Sequence, residues 1–291
     1  MNVAQEKYLV PLRLLTLFTL CLSVAAFSSA VAAQVVNTKP VTKTTVATPT
    51  PSPTPPLVNQ QKTDLKTVGP EQVVETVLFF YAFPNGRTTL NQIRKTTIER
   101  GSANITNAEG KVERVPYQRF VMRGENLVKE RIRLDQEFPS ARYSLIWAED
   151  KTFGIYNNTV FTPREDAAKI FENLIFHGVE ALLRYKENES KLEMGAKEKV
   201  MGVDYFVIDV TDKQERKTKF YVSAKSFRVM MLTYEEGGVK YKRKFYDYNY
   251  AQGTLVPYRT VLWAGEKIVE ETEVGTITFG QRVDEGMFKA G

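Results

Sequence analysis

Histidine and cysteine, on which most nucleophilic and zinc chemistry depends, are almost absent from this chain. Its 291 residues include one histidine, His177, and one cysteine, Cys21. A Ser-His-Asp triad and most zinc sites would need the histidine, but the apolar helical pattern around His177 favours an ordinary helix-flank contact over a catalytic base. The sequence also has no phosphate loop and no dinucleotide fingerprint. It therefore predicts a protein that is not an enzyme and has no metal or other cofactor.

Three neighbouring aspartates are the remaining candidates for acid–base chemistry, which carboxylates can perform. Asp204, Asp209 and Asp212 fall within nine positions of one another. Alternation places Asp209 on a strand face with apolar side chains, where it would be partly buried. The other interpretation is that these residues mark strand ends and a turn at Asp212, and the pattern favours it.

A basic and aromatic segment, Lys240–Tyr250, could bind an anionic partner. Lys240, Lys242 and Lys244 alternate with Tyr241, Arg243 and Phe245, so the three lysines share one strand face. This face is either simply solvated or a docking patch for an envelope protein or anionic lipid head groups. Stacked aromatic and basic residues can also bind nucleic acid, but an exported protein would not meet it. The formal net charge of +6 suits contact with anionic surfaces.

The N-terminus predicts export. Lys7 and Arg13 precede an apolar run from Leu14 to Ala26, and small residues follow up to Ala33. This is the pattern of a signal peptide spanning residues 1–33. An uncleaved anchor is the alternative, since about 20 apolar residues can cross a bilayer. Either way we expect a periplasmic or otherwise exported protein of a bacterial envelope.

Residues 34–69 form a second compositional region, rich in threonine and proline. Proline removes backbone donors and favours extended polyproline geometry, so we expect a disordered, semi-rigid linker. Residues 70–291 then have the size of one β-rich domain.

Two helices are predicted in that domain. The first is Pro70–Tyr81, with proline at its start and apolar residues at helical spacing. The second begins at Thr162 as N-cap and runs to about Lys186. Its apolar residues fall on two sides, which predicts a helix that covers a cavity. The predicted lid residues are Phe171, Leu174, Ile175 and Leu182.

Short strands separated by tight polar turns occupy most of the rest. The run Val200–Leu232 reads as three of them, and similar strands continue to Phe279. Strands joined this way form one antiparallel sheet. Strand alternation gives twelve inner-face candidates for binding an apolar ligand, which are Phe120, Met122, Tyr143, Leu145, Trp147, Phe153, Ile155, Phe206, Ile208, Phe220, Val229 and Met231.

The region Val200–Phe288 resembles the LolA-like family of periplasmic lipoprotein carriers and outer-membrane lipoprotein-sorting proteins. The resemblance rests on four segments, which are Gly202–Val210, Lys219–Val229, Tyr246–Pro257 and Val274–Phe279. It implies a mainly β fold with some α, in which helices cover the concave face of a strongly curved, open antiparallel sheet, or half-barrel. It also implies a hydrophobic cavity that accepts lipid or lipoprotein acyl chains.

The sequence thus predicts an exported, non-catalytic domain that binds a lipid or lipoprotein acyl chain and takes part in envelope trafficking. The alternative is a structural or protein-interaction module of the envelope whose core is completely filled. An open cavity between the sheet and the second helix would favour the first.

Overall fold

The computed structural model describes residues 68–107 and 109–290, which contain fourteen strands of one antiparallel sheet. The signal peptide predicted at 1–33 and nearly all of the linker predicted at 34–69 lie outside the described residues. The strands are β1 Thr96–Thr106, β2 Val112–Met122, β3 Arg131–Glu137, β4 Arg142–Ala148, β5 Lys151–Tyr156, β6 Thr159–Phe161, β7 Lys191–Met194, β8 Glu198–Val200, β9 Val203–Thr211, β10 Lys217–Ser223, β11 Val229–Glu236, β12 Val239–Ala251, β13 Thr254–Ala264 and β14 Lys267–Phe279.

The strand order is β6-β5-β4-β3-β2-β1-β14-β13-β12-β11-β10-β9-β7, and β8 also pairs with β9. Neighbours in space are therefore mostly neighbours in sequence, as expected for chained hairpins. There are two exceptions. At one edge β7 pairs with β9, and in the centre β1 and β14 join the two halves of the sheet. The sheet does not close into a barrel, and the prediction of a mainly β, open curved sheet is confirmed.

Four α-helices occur within residues 68–107 and 109–290, and they are α1 Pro70–Tyr81, α2 Arg87–Ile93, α3 Glu165–Phe176 and α4 Val179–Leu183. A short 3-10 helix, Glu285–Phe288, follows the last strand. Helix α1 has the predicted bounds, and Val73, Val74 and Val77 on its apolar stripe are buried. None of the helices in this range is long and apolar enough to cross a membrane.

The single second helix predicted from Thr162 to Lys186 is wrong in two respects. It is two helices, since Gly178 adopts an extended backbone (φ −88°, ψ 175°) between α3 and α4. Glycine is a poor helix former, so the chain can break there at low cost. The break also explains the two apolar sides of the sequence pattern, since the two helices bury different faces. The N-cap is Arg164 rather than Thr162.

The main core lies between one face of the sheet and the helices. We call this the inner face. It includes Leu145 and Trp147 of β4, Phe206 and Ile208 of β9, and Phe220 of β10. Helices α1, α3 and α4 cover it, which agrees with the predicted arrangement of sheet and helices.

Five of the twelve predicted inner-face residues lie on the opposite, outer face, so their assignment is wrong. Four of them, Phe120, Met122, Phe153 and Ile155, pack around Ile146, Ala148 and Phe288 beneath the C-terminal segment. Because β4 is buried on both faces, alternation alone does not show which side meets the helices. The fifth, Met231, is shifted by a bulge. The register changes between Tyr221 and Val222, so Val229 stays inward while Met231 turns outward.

The connection between β2 and β3 is a loop and not a tight turn, since β2 ends at Met122 and β3 begins at Arg131. The intervening residues reach the helices, where Asn188 Oδ1 accepts a hydrogen bond from the Leu127 amide at 3.0 Å.

Candidate functional site: a mixed apolar and ionic cavity

A cavity of about 240 Å³ lies between the central strands and the junction of α3 with α4. Its helix side includes Leu174, Ile175, Gly178, Val179 and Glu180, together with Tyr81 of α1. Much of the wall is apolar, with Val121, Leu127, Ile132, Leu134, Leu174, Ile175, Val179, Phe245, Leu255 and Ile277 among its residues. The volume exceeds the roughly 150 Å³ of an engineered cavity that binds benzene. It is below the roughly 300–1,000 Å³ of typical ligand pockets, so it can hold a small apolar molecule or one end of a longer one.

Charged side chains form the rest of the wall. They are four arginines and four glutamates, namely Arg94, Arg119, Arg123, Arg243, Glu99, Glu130, Glu180 and Glu270. Charges this well shielded from water need close partners, because unpaired burial is costly. Their pairing therefore shows which charges are already satisfied and which remain available to a ligand.

Glu180, in the first turn of α4, connects this helix to the sheet and to α2. Its carboxylate accepts a hydrogen bond from Arg94 Nη1 at 2.6 Å and from Arg123 Nη1 at 3.2 Å. Burial alone would raise the pKa of Glu180, but Arg123 and Arg94 outweigh it and lower this pKa to about 2. Glu180 is therefore ionised at neutral pH, and its position fixes α4 at the edge of the cavity.

Arg184 makes a second connection, from just beyond the end of α4. It is only 2% exposed. Its Nη1 pairs with Glu130, and its Nη2 donates to the Gly124 carbonyl at 2.6 Å. Burial raises the pKa of Glu130 to about 7, although Arg184 opposes this rise. The two connections together anchor α4 to the loop between β2 and β3.

The floor of the cavity contains a third charged group, centred on Glu99 of β1. Arg119 Nη2 donates to Glu99 at 2.6 Å, and the Tyr117 hydroxyl donates to it at 2.7 Å. Burial, with the neighbouring Glu99 charge, raises the pKa of Tyr117, so its hydroxyl keeps its proton. The Tyr117 hydroxyl and Arg119 Nη2 thus both donate to Glu99, while the buried Arg119 Nε has no partner.

Arg243 of β12 differs from the other arginines of the cavity. It is 7% exposed, yet none of its side-chain nitrogens donates a hydrogen bond to any described residue, and its buried Nε has no partner. The carboxylate within reach is that of Glu270, 3.8 Å from Arg243 Nη2. This separation is too long for a hydrogen bond. Arg243 therefore has a loose ionic contact and unused donors.

His177 lies between α3 and α4 and does not line the cavity. Its Nδ1 is 2.7 Å from Thr218 Oγ1, and its ring stacks on Tyr234 with centroids 4.1 Å apart. Burial, helped by Arg216, lowers its pKa to about 4, so the ring is neutral at pH 7. These are the ordinary packing contacts that the sequence predicts.

The three aspartates do not meet. Asp209 pairs with Lys219 at 3.3 Å, and Asp212 with Arg216 at 2.6 Å in the β9–β10 turn, while Asp204 is exposed. Among residues 68–107 and 109–290, no group of three or more histidine, cysteine or acidic residues is arranged to hold a metal ion.

None of the twelve predicted ligand-binding residues lines the cavity, although Leu174 and Ile175 of the predicted lid do. The seven that face the helices, which are Tyr143, Leu145, Trp147, Phe206, Ile208, Phe220 and Val229, are packed in or against the core together with Phe171 and Leu182. A ligand would reach these residues after α3 and α4 had moved away from the sheet, and that role stays a prediction.

Lys240, Lys242 and Lys244 share the outer face of β12. The ammonium groups of Lys242 and Lys244 lie 5.1 and 5.5 Å from the centre of the Trp263 ring, within the range of a cation–π contact. This patch is on the opposite side of the strand from Arg243.

Sequence reasoning missed the charged lining of the cavity. One signal was available for Arg243, since alternation places it on the same face as Tyr241 and Phe245, and Phe245 is buried. For Glu180 no local signal exists, because its partners Arg94 and Arg123 are 86 and 57 positions away.

The fold matches solved structures. A LolA superfamily protein from Nitrosomonas europaea superposes with a TM-score of 0.53 at 11% identity, over 76% of this chain and 98% of that one. A DUF1329 family protein from Desulfovibrio piger gives a TM-score of 0.51 at 12% identity, with the same coverage. No family model and no curated protein matches the chain. The chain therefore has a LolA-like fold, as its sequence predicts.

Proposed function

We propose that this protein is an exported, non-catalytic carrier that binds a lipid or lipoprotein acyl chain between the sheet and helices α3 and α4. The observation that carries the proposal is the partly apolar cavity at the junction of these helices in a LolA-like fold. Removing an acyl chain from water contributes about 0.8 kcal/mol per buried methylene. Envelope trafficking and the leader at 1–33 belong to the same proposal.

The cavity must enlarge to take a whole chain, since about 240 Å³ is small for a lipid. We expect α4 to be the moving part. Its connections to the sheet include the ion pairs of Glu180 and Arg184. The separated ions regain hydration, and this hydration offsets part of the cost of moving α4. The Glu180→Gln variant should therefore take up an acyl ligand faster than the wild type in stopped-flow fluorescence. An unchanged uptake rate would argue against movement of α4.

Co-purification is the direct test of lipid binding. Native mass spectrometry of the full-length protein, purified from the exported fraction, should show bound lipid. The delipidated protein should also gain thermal stability with added acyl ligands, because a ligand that binds the native state stabilises it. A protein that is always empty and gains no stability from any acyl ligand would contradict the proposal.

A matched pair of variants tests the position of the ligand. Val179 lines the cavity, so Val179→Trp places an indole ring in the space for the ligand. Ile170 is on α3 but is 58% exposed, so Ile170→Trp adds the same ring to the surface. We expect the first variant to lose most acyl binding and the second to keep it. Equal binding by both would place the ligand elsewhere.

A second candidate function is an envelope interaction module that acts through the Lys240, Lys242 and Lys244 patch. The observation that favours it is the position of Lys242 and Lys244 over Trp263 on the outer face. Such a surface suits an acidic protein segment. Charge reversal of the three lysines should abolish a pull-down of that partner while leaving acyl binding unchanged. If the pull-down persists, this candidate is excluded.

A further inference from the structure

Arg243 is directed into the cavity by the strand that carries it. Its cross-strand neighbours are Leu232 of β11 and Leu262 of β13, and both are buried. The guanidinium is thus flanked by two leucines on the inner face of the sheet. Beside these leucines the guanidinium has one anionic neighbour, Glu270, at 3.8 Å.

The hydrogen bonds of this guanidinium are unmet. A guanidinium has five N–H donors, and buried polar groups in native proteins nearly always have partners. Arg243 donates to no described residue, and its buried Nε is without a partner. Glu270, 3.8 Å away, already accepts a hydrogen bond from Thr272 Oγ1 at 3.2 Å.

The other arginines of the cavity have close acceptors, which makes the contrast informative. Arg94 donates to Glu180, to the Leu255 carbonyl and to Thr254, and Arg123 also donates to Glu180. Arg119 donates to Glu99 at 2.6 Å. The buried Arg119 Nε has no partner, but Arg119 still has this one close acceptor. Among these four arginines Arg243 is therefore the one whose guanidinium makes no hydrogen bond to a described residue, and its donors remain free for a molecule that enters the cavity.

A planar guanidinium matches a carboxylate or phosphate group, with which it forms two parallel hydrogen bonds. The cavity wall also includes Phe245, Leu134 and Leu174, which suit a hydrocarbon. We propose that the ligand is an amphiphile whose oxyanion, a carboxylate or a phosphate, binds Arg243 while its acyl chain occupies the apolar part of the cavity. This inference rests on the proposed acyl-binding function and names the chemical class of the ligand.

Three ligands of equal chain length test the proposal on the delipidated full-length protein. They are dodecanoate, dodecyl phosphate and dodecanol, compared by displacement of a fluorescent fatty alcohol. A charge-assisted hydrogen bond is worth enough to expect about a tenfold or greater preference for at least one of the anions over dodecanol. Which anion binds tighter distinguishes a carboxylate from a phosphate as the natural group.

Variants then locate the preference. Arg243→Met should lose the preference for the anion over dodecanol, while Arg243→Lys should keep part of it. The control is Arg259→Met, which removes an arginine that pairs with Asp247 and Glu271 rather than lining the cavity. This variant should retain the full preference.

A measurement on the wild type covers the case in which Arg243→Met does not fold. The carbon-13 signal of carboxyl-labelled dodecanoate should show a lower pKa when bound than in water, because a guanidinium favours the ionised form. An unchanged or raised pKa would overturn the inference. Equal binding of dodecanol and both anions would overturn it too while leaving the acyl-binding function intact, whereas failure of all three ligands to bind would refute that function itself.

Discussion

Removing the charge of Glu180 should destabilise the protein without removing any atom that packs. Glu180→Gln keeps the shape of the side chain but weakens its hydrogen bonds with Arg94 and Arg123, which are 2.6 and 3.2 Å long. Arg94 keeps the Leu255 carbonyl as an acceptor. The Arg123 side chain is 10% exposed, and its guanidinium donates to no other described acceptor.

The size of the expected loss in stability follows from the pKa of Glu180. Lowering a carboxyl pKa from 4.5 to about 2 corresponds to about 3 kcal/mol at neutral pH, at 1.36 kcal/mol per pKa unit. Because the side chain is 28% exposed, solvent screening reduces the effect. We therefore expect Glu180→Gln to lower the free energy of unfolding by about 2 kcal/mol at pH 7.

The lowered pKa of Glu180 also predicts how its stabilising effect changes with pH. A folded-state pKa below the unfolded one means that the stabilisation is complete above about pH 4.5 and is lost as the pH falls towards 2. The difference between the wild type and Glu180→Gln should therefore shrink over this range.

Urea unfolding followed by circular dichroism measures the free energy of unfolding at each pH. The control is Glu165→Gln, the same change at an exposed position of α3, which should stay within about 0.5 kcal/mol of the wild type. If Glu180→Gln matched this control at pH 7, the ion pairs would not hold α4 and the reasoning would fail.

Three further predictions concern other parts of the fold. The His177 ring should titrate near pH 4 by NMR, and the stability that its neutral form contributes should decline as the pH falls from about 6.5 towards 4; a pKa near 6.5 would contradict its burial. Gly101→Ala should lower the free energy of unfolding in urea by more than about 1 kcal/mol, because the new Cβ would lie 2.2 Å from the Glu273 carbonyl oxygen. The control Gly275→Ala has room for the Cβ and should lower it less. Phe288→Ala should cost about 3 kcal/mol, because this ring is 2% exposed in the outer-face cluster, and a loss below about 1 kcal/mol would show that the cluster adds little.

The sequence predicts features that depend on local pattern. Pro70 and the apolar spacing after it determine the first helix, and tight polar turns bound strands such as β4 and β14. When both faces of a strand are apolar, the local pattern does not show which face meets the helices. The residues of β4 alternate correctly, but the outer partner of Ile146 is Phe288, 142 positions away. Distant pairing of this kind leaves no trace in a local pattern.

The candidate site shows the same division between local and distant information. Leu174 and Ile175 can be identified from the sequence because the spacing of apolar residues shows which face of an amphipathic helix is apolar. The volume beneath them depends on the break at Gly178 and on the course of the loop after Met122, neither of which the apolar pattern contains. Whether each cavity arginine has a partner depends on acceptors in other elements of the fold. Arg94, for example, donates to Glu180 of α4.

The charges of the cavity fit a carrier better than a purely apolar lining would. A buried ion pair adds little net stability, since desolvation offsets most of the attraction. When α4 leaves the sheet, however, Glu180 and Arg123 regain water, whereas an apolar contact of equal area would lose its whole stabilisation. A helix held partly by such pairs keeps a defined closed position and opens at a lower cost. Within the same cavity the Arg243 guanidinium makes no hydrogen bond to a described residue and has only the 3.8 Å contact with Glu270. An incoming oxyanion would therefore find a largely desolvated cation with no close hydrogen bond to displace.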